Sequence, residues 1–351
     1  MPIYYEPING ATDVATTRTL LHEVIPLTGS IVSGTYGTFR AEGNIKNYSH
    51  GMFQSVYDYP YLSSSANYIF DLTVGYDESS VLSSSLNGIQ RRKKINMYNQ
   101  FSQVLLGYTG SANRVRLFES DLTLDESAGN VMRDVFFLNL SRLLTKDQIK
   151  KGSVSIKLAT GSWDQSDVAA KALTFTDSTA TPTAGTLNTV GGDYGILSNS
   201  VGGVAGVVFY QAGLIAITSS VFENDTNDFF KEGATARTVS EQLVSGSISG
   251  SADAFRHRLQ NLQFNNTTEI NSTVYFCRAP HNKFNYSSNP TYLSSSSIRV
   301  KNNTRSNPPI SYITTIGLYN SSNELLAVAK LSEPLRKDPT NELTLRVRLD
   351  Y

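Results

Sequence analysis

In residues 343–350 apolar and polar positions alternate without a break. Leu343, Leu345, Val347 and Leu349 point one way, and Thr344, Arg346, Arg348 and Asp350 the other. A period of two predicts a half-buried strand. Upstream, two apolar runs flank a short Asn-Ser-Ser-Asn turn at 320–323, so the three segments together predict a C-terminal antiparallel meander. Residues 66–76 read as a strand through Ile69, Phe70, Leu72 and Val74. Residues 135–140 form a short, continuously apolar run that suits a central strand, and 153–159 and 273–278 are further strands. The most apolar window, 204–217, is shorter than the roughly twenty residues of a membrane helix and reads as two strands around Gly213 or one bent strand.

Helical spacing is sparser. Met97, Tyr98, Phe101, Val104 and Leu105 predict an amphipathic helix over 95–107 that Gly107 stops. Thr145 with Gln148 three on resembles a capping box opening a helix over 145–151. A helix starting at Ser251 carries Ala252, Phe255, Leu259 and Leu262 on one stripe, and a short helix is expected near 17–24. The fold class that follows is α+β and predominantly β: β-rich domains with a few short amphipathic helices and the terminal meander. Four segments are expected: an extended N-terminal arm over 1–30, an α+β domain over 31–160, a Gly/Thr-rich β insertion displayed outward over 161–250, and an α+β C-terminal domain over 251–351 that packs with 31–160.

Composition narrows the function. The chain of 351 residues carries 30 basic and 30 acidic residues, so it lacks the basic excess of a free-standing nucleic-acid binder. Charged residues make up only 17 %, and Ser, Thr and Asn supply the polar surface, which suits a protein packed against others. The single cysteine, Cys277, excludes an intrachain disulfide and reads as a buried strand residue. The N-terminal residues carry no basic-then-apolar export pattern.

Candidate chemistry is thin. Cys277 and His281 are the only close Cys/His pair, short of the four ligands of a structural zinc site, so no metal or cofactor is expected. No nucleophile elbow, phosphate loop or paired carboxylate signature stands out, and no catalytic residue is assigned. Asp121, Asp125 and Glu126 lack the oxygen spacing of an EF-hand and read as a solvated acidic loop. The run Arg91, Arg92, Lys93, Lys94 is expected just outside the helix N-terminus, where positive charge opposes the helix dipole. Tyr57, Tyr59 and Tyr61 alternate; such a stripe stacks on sugars or forms an interface edge. With them, Phe284, Tyr286 and Tyr292 of the aromatic-rich loop, and Arg346, Arg348 and Tyr351 of the last strand, are the candidate interface residues.

The segments SANYIFDLTVGY, KKINMYNQFSQVLLGY, LLTKDQIKKGSVSIKL, RHRLQNLQFNNTTEINSTVYFC, HNKFNYSSNPTY and the closing meander resemble a virion structural protein of contractile-tailed marine bacteriophages, chiefly those infecting cyanobacteria. The resemblance covers most of 60–160 and 250–351 and is weak over 160–250. It implies an assembly component without catalysis, made in the host cytoplasm and placed in the tail, in the baseplate or its fibre network. A neck or collar protein and a host-glycan-binding tail module are the alternatives. The implied partners are other virion proteins and copies of the chain itself, with a glycan as a further candidate and no membrane insertion.

Overall fold

The computed structural model describes residues 5–28, 43–84, 88–109, 114–127, 129–163, 171–222, 228–232, 235–286 and 304–351. The strands up to the middle of the chain are β1 (Val14–Leu21), β2 (Val24–Thr28), β3 (Ile45–Asn47), β4 (Gln54–Tyr57), β5 (Tyr68–Tyr76), β6 (Phe118–Glu119), β7 (Val131–Met132), β8 (Asp134–Leu140), β9 (Gln148–Ile149) and β10 (Ser155–Ala159). They continue as β11 (Ala172–Thr176), β12 (Leu187–Thr189), β13 (Gly192–Ser198), β14 (Val204–Phe209), β15 (Leu214–Thr218), β16 (Phe230–Glu232), β17 (Thr235–Arg237), β18 (Leu259–Ala279), β19 (Ser311–Tyr319), β20 (Leu325–Lys337) and β21 (Leu343–Asp350). The α-helices are α1 (Ile89–Leu105), α2 (Arg142–Thr145), α3 (Val239–Ser245) and α4 (Ile248–Arg258). With 46 % strand and 16 % helix the protein is α+β and predominantly β, as the patterning predicts. Among the described residues no helix is long and apolar enough to cross a membrane.

The chain divides into two compact units, Leu21–Thr268 on one hand and Met1–Leu20 with Glu269–Tyr351 on the other. The first is built on a sheet of order β18-β10-β11-β13-β14-β15-β8-β5-β4-β3, in which each neighbouring pair with both strands in this path is antiparallel. Strand alternation sends its residues to two separate cores. Phe70, Leu72, Val74, Phe136, Leu138, Ile215 and Ile217 face one way and pack with Leu243 of α3 and Ile248, Ala252 and Phe255 of α4. Val135, Phe137, Leu214, Ala216, Val207 and Phe209 face the other way and pack with Tyr98 and Leu105 of α1 and with Phe118. Helix α1 lies close because Gly75 has no side chain: a Cβ there would stand 2.7 Å from the Lys94 carbonyl oxygen. The 161–250 segment is therefore no outward insertion. Its strands β11, β13, β14 and β15 run between β10 and β8 in the same sheet, and in β14 and β15 Val207, Val208, Phe209, Leu214, Ile215 and Ile217 are buried on both faces.

Four helix expectations change. Residues 17–24 hold no helix: β1 ends at Leu21, β2 begins at Val24, and both pair with β18, in keeping with the β-branched Thr16, Thr17 and Thr19. Helix α1 begins at Ile89, so Arg91–Lys94 lie inside it, and Val104 is exposed. The Thr145–Gln148 pair caps nothing. The one-turn α2 is capped by Ser141, whose hydroxyl accepts from the Leu143 N–H, and Lys146 turns to φ 56° before Gln148 pairs with Thr267. The capping box of the fold is at Thr238 and Glu241, opening α3. Helix α4 ends at Arg258. Leu259 and Leu262 are strand residues whose spacing of three arises from an irregularity in register opposite Lys157 and Leu158, which imitates a helical stripe.

The second unit has a three-stranded part, in which β18 pairs with β1 and, antiparallel over Ser272–Ala279, with β21. Val347 is buried and Thr344, Arg346 and Arg348 are exposed, as the alternation predicts. Its other part is the β19–β20 hairpin, with Asn323 at φ 64° in the connecting turn.

Candidate functional site

The outward face of the β3–β4–β5–β8 end of the sheet carries a polar row. Register sets Lys46 opposite Ser55, Ser55 opposite Asp71 and Asp71 opposite Asn139. Gly75, two side-chain positions further along the same face of β5, is where α1 packs; Asp71 lies at the end away from it. Tyrosines gather around this row instead. The Ser55 hydroxyl donates to Asp71 and lies 3.3 Å from the Tyr48 hydroxyl. The Tyr68 hydroxyl donates to the Asn139 carbonyl oxygen at 3.2 Å and sits beside the Asp71 carboxylate. A register shift between Val56 and Tyr57 brings Tyr57 opposite Tyr68, their ring centroids 6.0 Å apart. Tyr61 stands 6.0 Å from Tyr57 at a 42° tilt, and the Lys46 ammonium lies 4.8 Å from the Tyr48 ring centroid and 5.8 Å from that of Tyr61. His50 stacks on Tyr48, and Lys93 donates to the His50 carbonyl oxygen.

Burial pushes the Asp71 carboxyl up from its ordinary value, against the hydrogen bonds from Ser55 and Tyr68. The Tyr68 phenol is pushed up by burial and then by the neighbouring Asp71 charge, and Tyr57 by burial and then by Tyr48. The site thus holds a half-buried acceptor carboxylate, four phenols and a cation over partly open rings. It offers binding groups in several directions. A lone carboxylate with a serine and no base between them does not assemble a nucleophile.

The second unit presents a different surface. Among the described residues its buried apolar side chains are Val274, Ala279, Leu318 and Val347, and neither extended core reaches it. Exposed on it are Tyr312, Tyr319, Leu325, Leu326 (69 %), Val328, Phe284, Tyr286 and Tyr351. Among the described pairings β20 bonds only to β19 and β21 only to β18, so each has one side without a strand neighbour.

The expected interface residues fall into two groups. Tyr57, Tyr59 and Tyr61 belong to the unit Leu21–Thr268, with Tyr57 half-buried and the other two exposed. Phe284, Tyr286, Arg346, Arg348 and Tyr351 belong to the other unit. There Arg348 donates to Asp350 at 2.7 Å and to the Ser272 hydroxyl at 3.0 Å, and the Tyr351 hydroxyl meets that of Thr273 at 3.1 Å. Tyr292 lies outside the described residues. Sequence reasoning missed Lys46, Tyr48, Ser55, Tyr68 and Asp71. One signal was present: Asp71 is the one charged residue in the strand 68–76.

The remaining sequence candidates have structural roles. The acidic loop is solvent-facing, with Asp125 exposed, and also knitted: Thr123 bonds Asp121 and Asp125, Glu126 pairs with Arg114, and the buried Glu119 next to it accepts from the Glu126 N–H at 3.0 Å. Among the described residues no group of three or more His, Cys, Asp or Glu side chains is placed to hold a metal. Cys277 is half-buried, and burial raises its thiol. Lys94 of the basic run is fully buried, and its ammonium donates to the carbonyl oxygens of Leu243 and Gly246.

Compared with family models, with curated proteins and with solved structures, the chain has no match.

Proposed function

We propose that the protein is a non-catalytic structural component of a contractile-tailed bacteriophage particle, placed in the tail baseplate or its fibre network and acting through protein–protein interfaces. The observation that carries the reading is the imbalance of the second unit. Its long hairpin has strands of 9 and 13 residues, yet Leu318 is the one apolar side chain of that hairpin that is buried among the described residues. A two-stranded ribbon is marginal at best in water, and exposed Leu, Val and Tyr on it favour a partner surface. Obligate interfaces supply what such a ribbon lacks, often burying more than about 2,000 Å².

Chemistry of the polar surface supports the same reading. With 17 % charged residues and abundant Ser, Thr and Asn, little charge has to be desolvated when neighbours close in. Pro334 falls in β20 within a stretch, 331–334, left without register partners between Lys330 and Leu335. Proline and irregular register keep an open edge from pairing indiscriminately. The sequence resemblance supplies the kind of particle.

Assembly tests the proposal. Particles produced without the protein are expected to lack a defined tail part and to lose infectivity. Particles that assemble complete, infectious tails without it would overturn the reading.

A further inference from the structure

We infer that the Tyr48–Tyr57–Tyr61–Tyr68 cluster around Asp71 is a carbohydrate-binding site for a hexopyranose-containing oligosaccharide. The inference goes beyond the structural role and does not rest on it, since it concerns the isolated chain. The geometry has both halves of what a sugar needs. Tyr57 and Tyr61, tilted at 42° with centroids 6.0 Å apart, form a wedge of ring surface for the apolar face of a pyranose. Tyr61 and, next to it, Tyr59 are exposed, so the wedge opens to solvent. Behind it, Asp71 is a half-buried acceptor bonded by the Ser55 hydroxyl and flanked by Tyr68 and Tyr57, while the Tyr48 hydroxyl reaches Ser55 and the Lys46 ammonium lies over the Tyr48 and Tyr61 rings.

Among the described residues the charged groups near the cluster include Asp71 of β5, Lys46 of β3, Lys93 of α1, which donates to the His50 carbonyl oxygen, and Asp58, which follows Tyr57 and accepts from the Asn67 N–H at 2.6 Å. A polyol meets this mixture well. Each sugar hydroxyl both donates and accepts, so it can satisfy Asp71 and a phenol together, whereas an apolar protein face would strand them. The row Lys46–Ser55–Asp71–Asn139 is fixed by register across four strands, so the polar groups are pre-organised on rigid elements. A site built to hydrogen-bond hydroxyls discriminates strongly against ligands that lack them.

The test uses the purified full chain on a broad printed array of bacterial surface glycans, followed by titration calorimetry with the oligosaccharides bound. The inference expects a defined glycan class to bind. Tyr61→Ala and Asp71→Asn should each weaken that binding about tenfold or more, since each removes or unpairs a ligand-facing group. Tyr61→Phe keeps the ring and should retain most of it. Circular dichroism of each variant checks that the fold is intact. Absence of binding to every glycan on the array overturns the inference, and so does undiminished binding by folded Tyr61→Ala and Asp71→Asn. Burial of the cluster against a protein neighbour in the assembled particle also overturns it and assigns the rings to an interface. A failure here leaves the tail role standing, because assembly is read separately.

Discussion

The ammonium of Lys94 donates to the carbonyl oxygen of Gly246 at 2.7 Å, across 152 residues of sequence. The carbonyl groups at the end of α3 have no helical partners of their own, and the negative pole of the helix lies there. A lysine from the first half of α1 fills that need, which explains how a basic run sits inside a helix N-terminal region. The same bond ties α1 to α3.

Burial lowers the Lys94 amine to about 8, against the pull of the two carbonyls toward the charged form. Below pH 8 the lysine is charged in both folded and unfolded chains. Between about 8 and 10.5 the unfolded chain still holds a proton that the folded chain has released, so the stability contributed by this group rises with pH. Denaturant titrations of the parent and of Lys94→Met at pH 8 and pH 9.5 should show the difference between them growing in the parent's favour. The slope expected is about 1 kcal/mol per pH unit or less. Other groups that titrate there, the tyrosines included, are common to both proteins and cancel.

Gly75→Ala should destabilise the unit Leu21–Thr268. The new Cβ meets the Lys94 carbonyl oxygen and the Tyr98 backbone nitrogen, both at 2.7 Å, and neither is a flexible side-chain end. Overpacking of this kind costs about 1–3 kcal/mol. Urea unfolding measures it, and an unchanged midpoint would show that α1 does not bear on β5.

Asp177 is fully buried and accepts from the N–H groups of Gly152 and Val154, each at 2.8 Å, and from the Tyr210 hydroxyl at 2.9 Å. Asp177→Ala leaves the buried Val154 N–H and Tyr210 hydroxyl, and the Gly152 N–H, without this acceptor, and a loss of about 3 kcal/mol is expected. Tyr210→Phe removes one bond and should cost about 1 kcal/mol. The ordering of the two variants by thermal or urea unfolding is the check.

The exposed hairpin side chains separate folding from assembly. Leu326→Lys with Val328→Lys alters two exposed positions of β20. Stability of the isolated chain should change by less than about 0.5 kcal/mol per site. Incorporation into particles should fall sharply, as read by the amount of the protein in purified tails. Normal incorporation would remove the hairpin from the interface.

How much of this was legible in the sequence follows from which interactions are local. The strands 68–76, 134–140 and 343–350 were readable because their alternation or continuous apolarity is a local signature of burial. A change of direction at Gly213 was readable, although two strands and one bent strand both remained open; the glycine takes φ 69°, a conformation costly for other residues, and two strands flank it. The irregular pairing of β10 with β18 was not, since a register shift gives Leu259 and Leu262 the spacing of a helix. The place of 161–250 in the sheet was equally hidden: its turn-rich composition describes the connections and says nothing of which strands they join. The Asp71 cluster depends on register across four strands, and only the one charged residue in the strand 68–76 hinted at it. Tyr57 and Tyr61 stood out in the sequence because alternating aromatic residues are informative by type, whereas Lys94 was misplaced because its partners lie far along the chain.

An electron cryo-microscopy map of the intact particle tests the central claim most directly. The account predicts density for this chain within the tail, with the strands Ser311–Tyr319 and Leu325–Lys337 covered by a neighbouring chain in each copy. A particle in which the protein is missing, or in which that hairpin faces solvent in every copy, would contradict it.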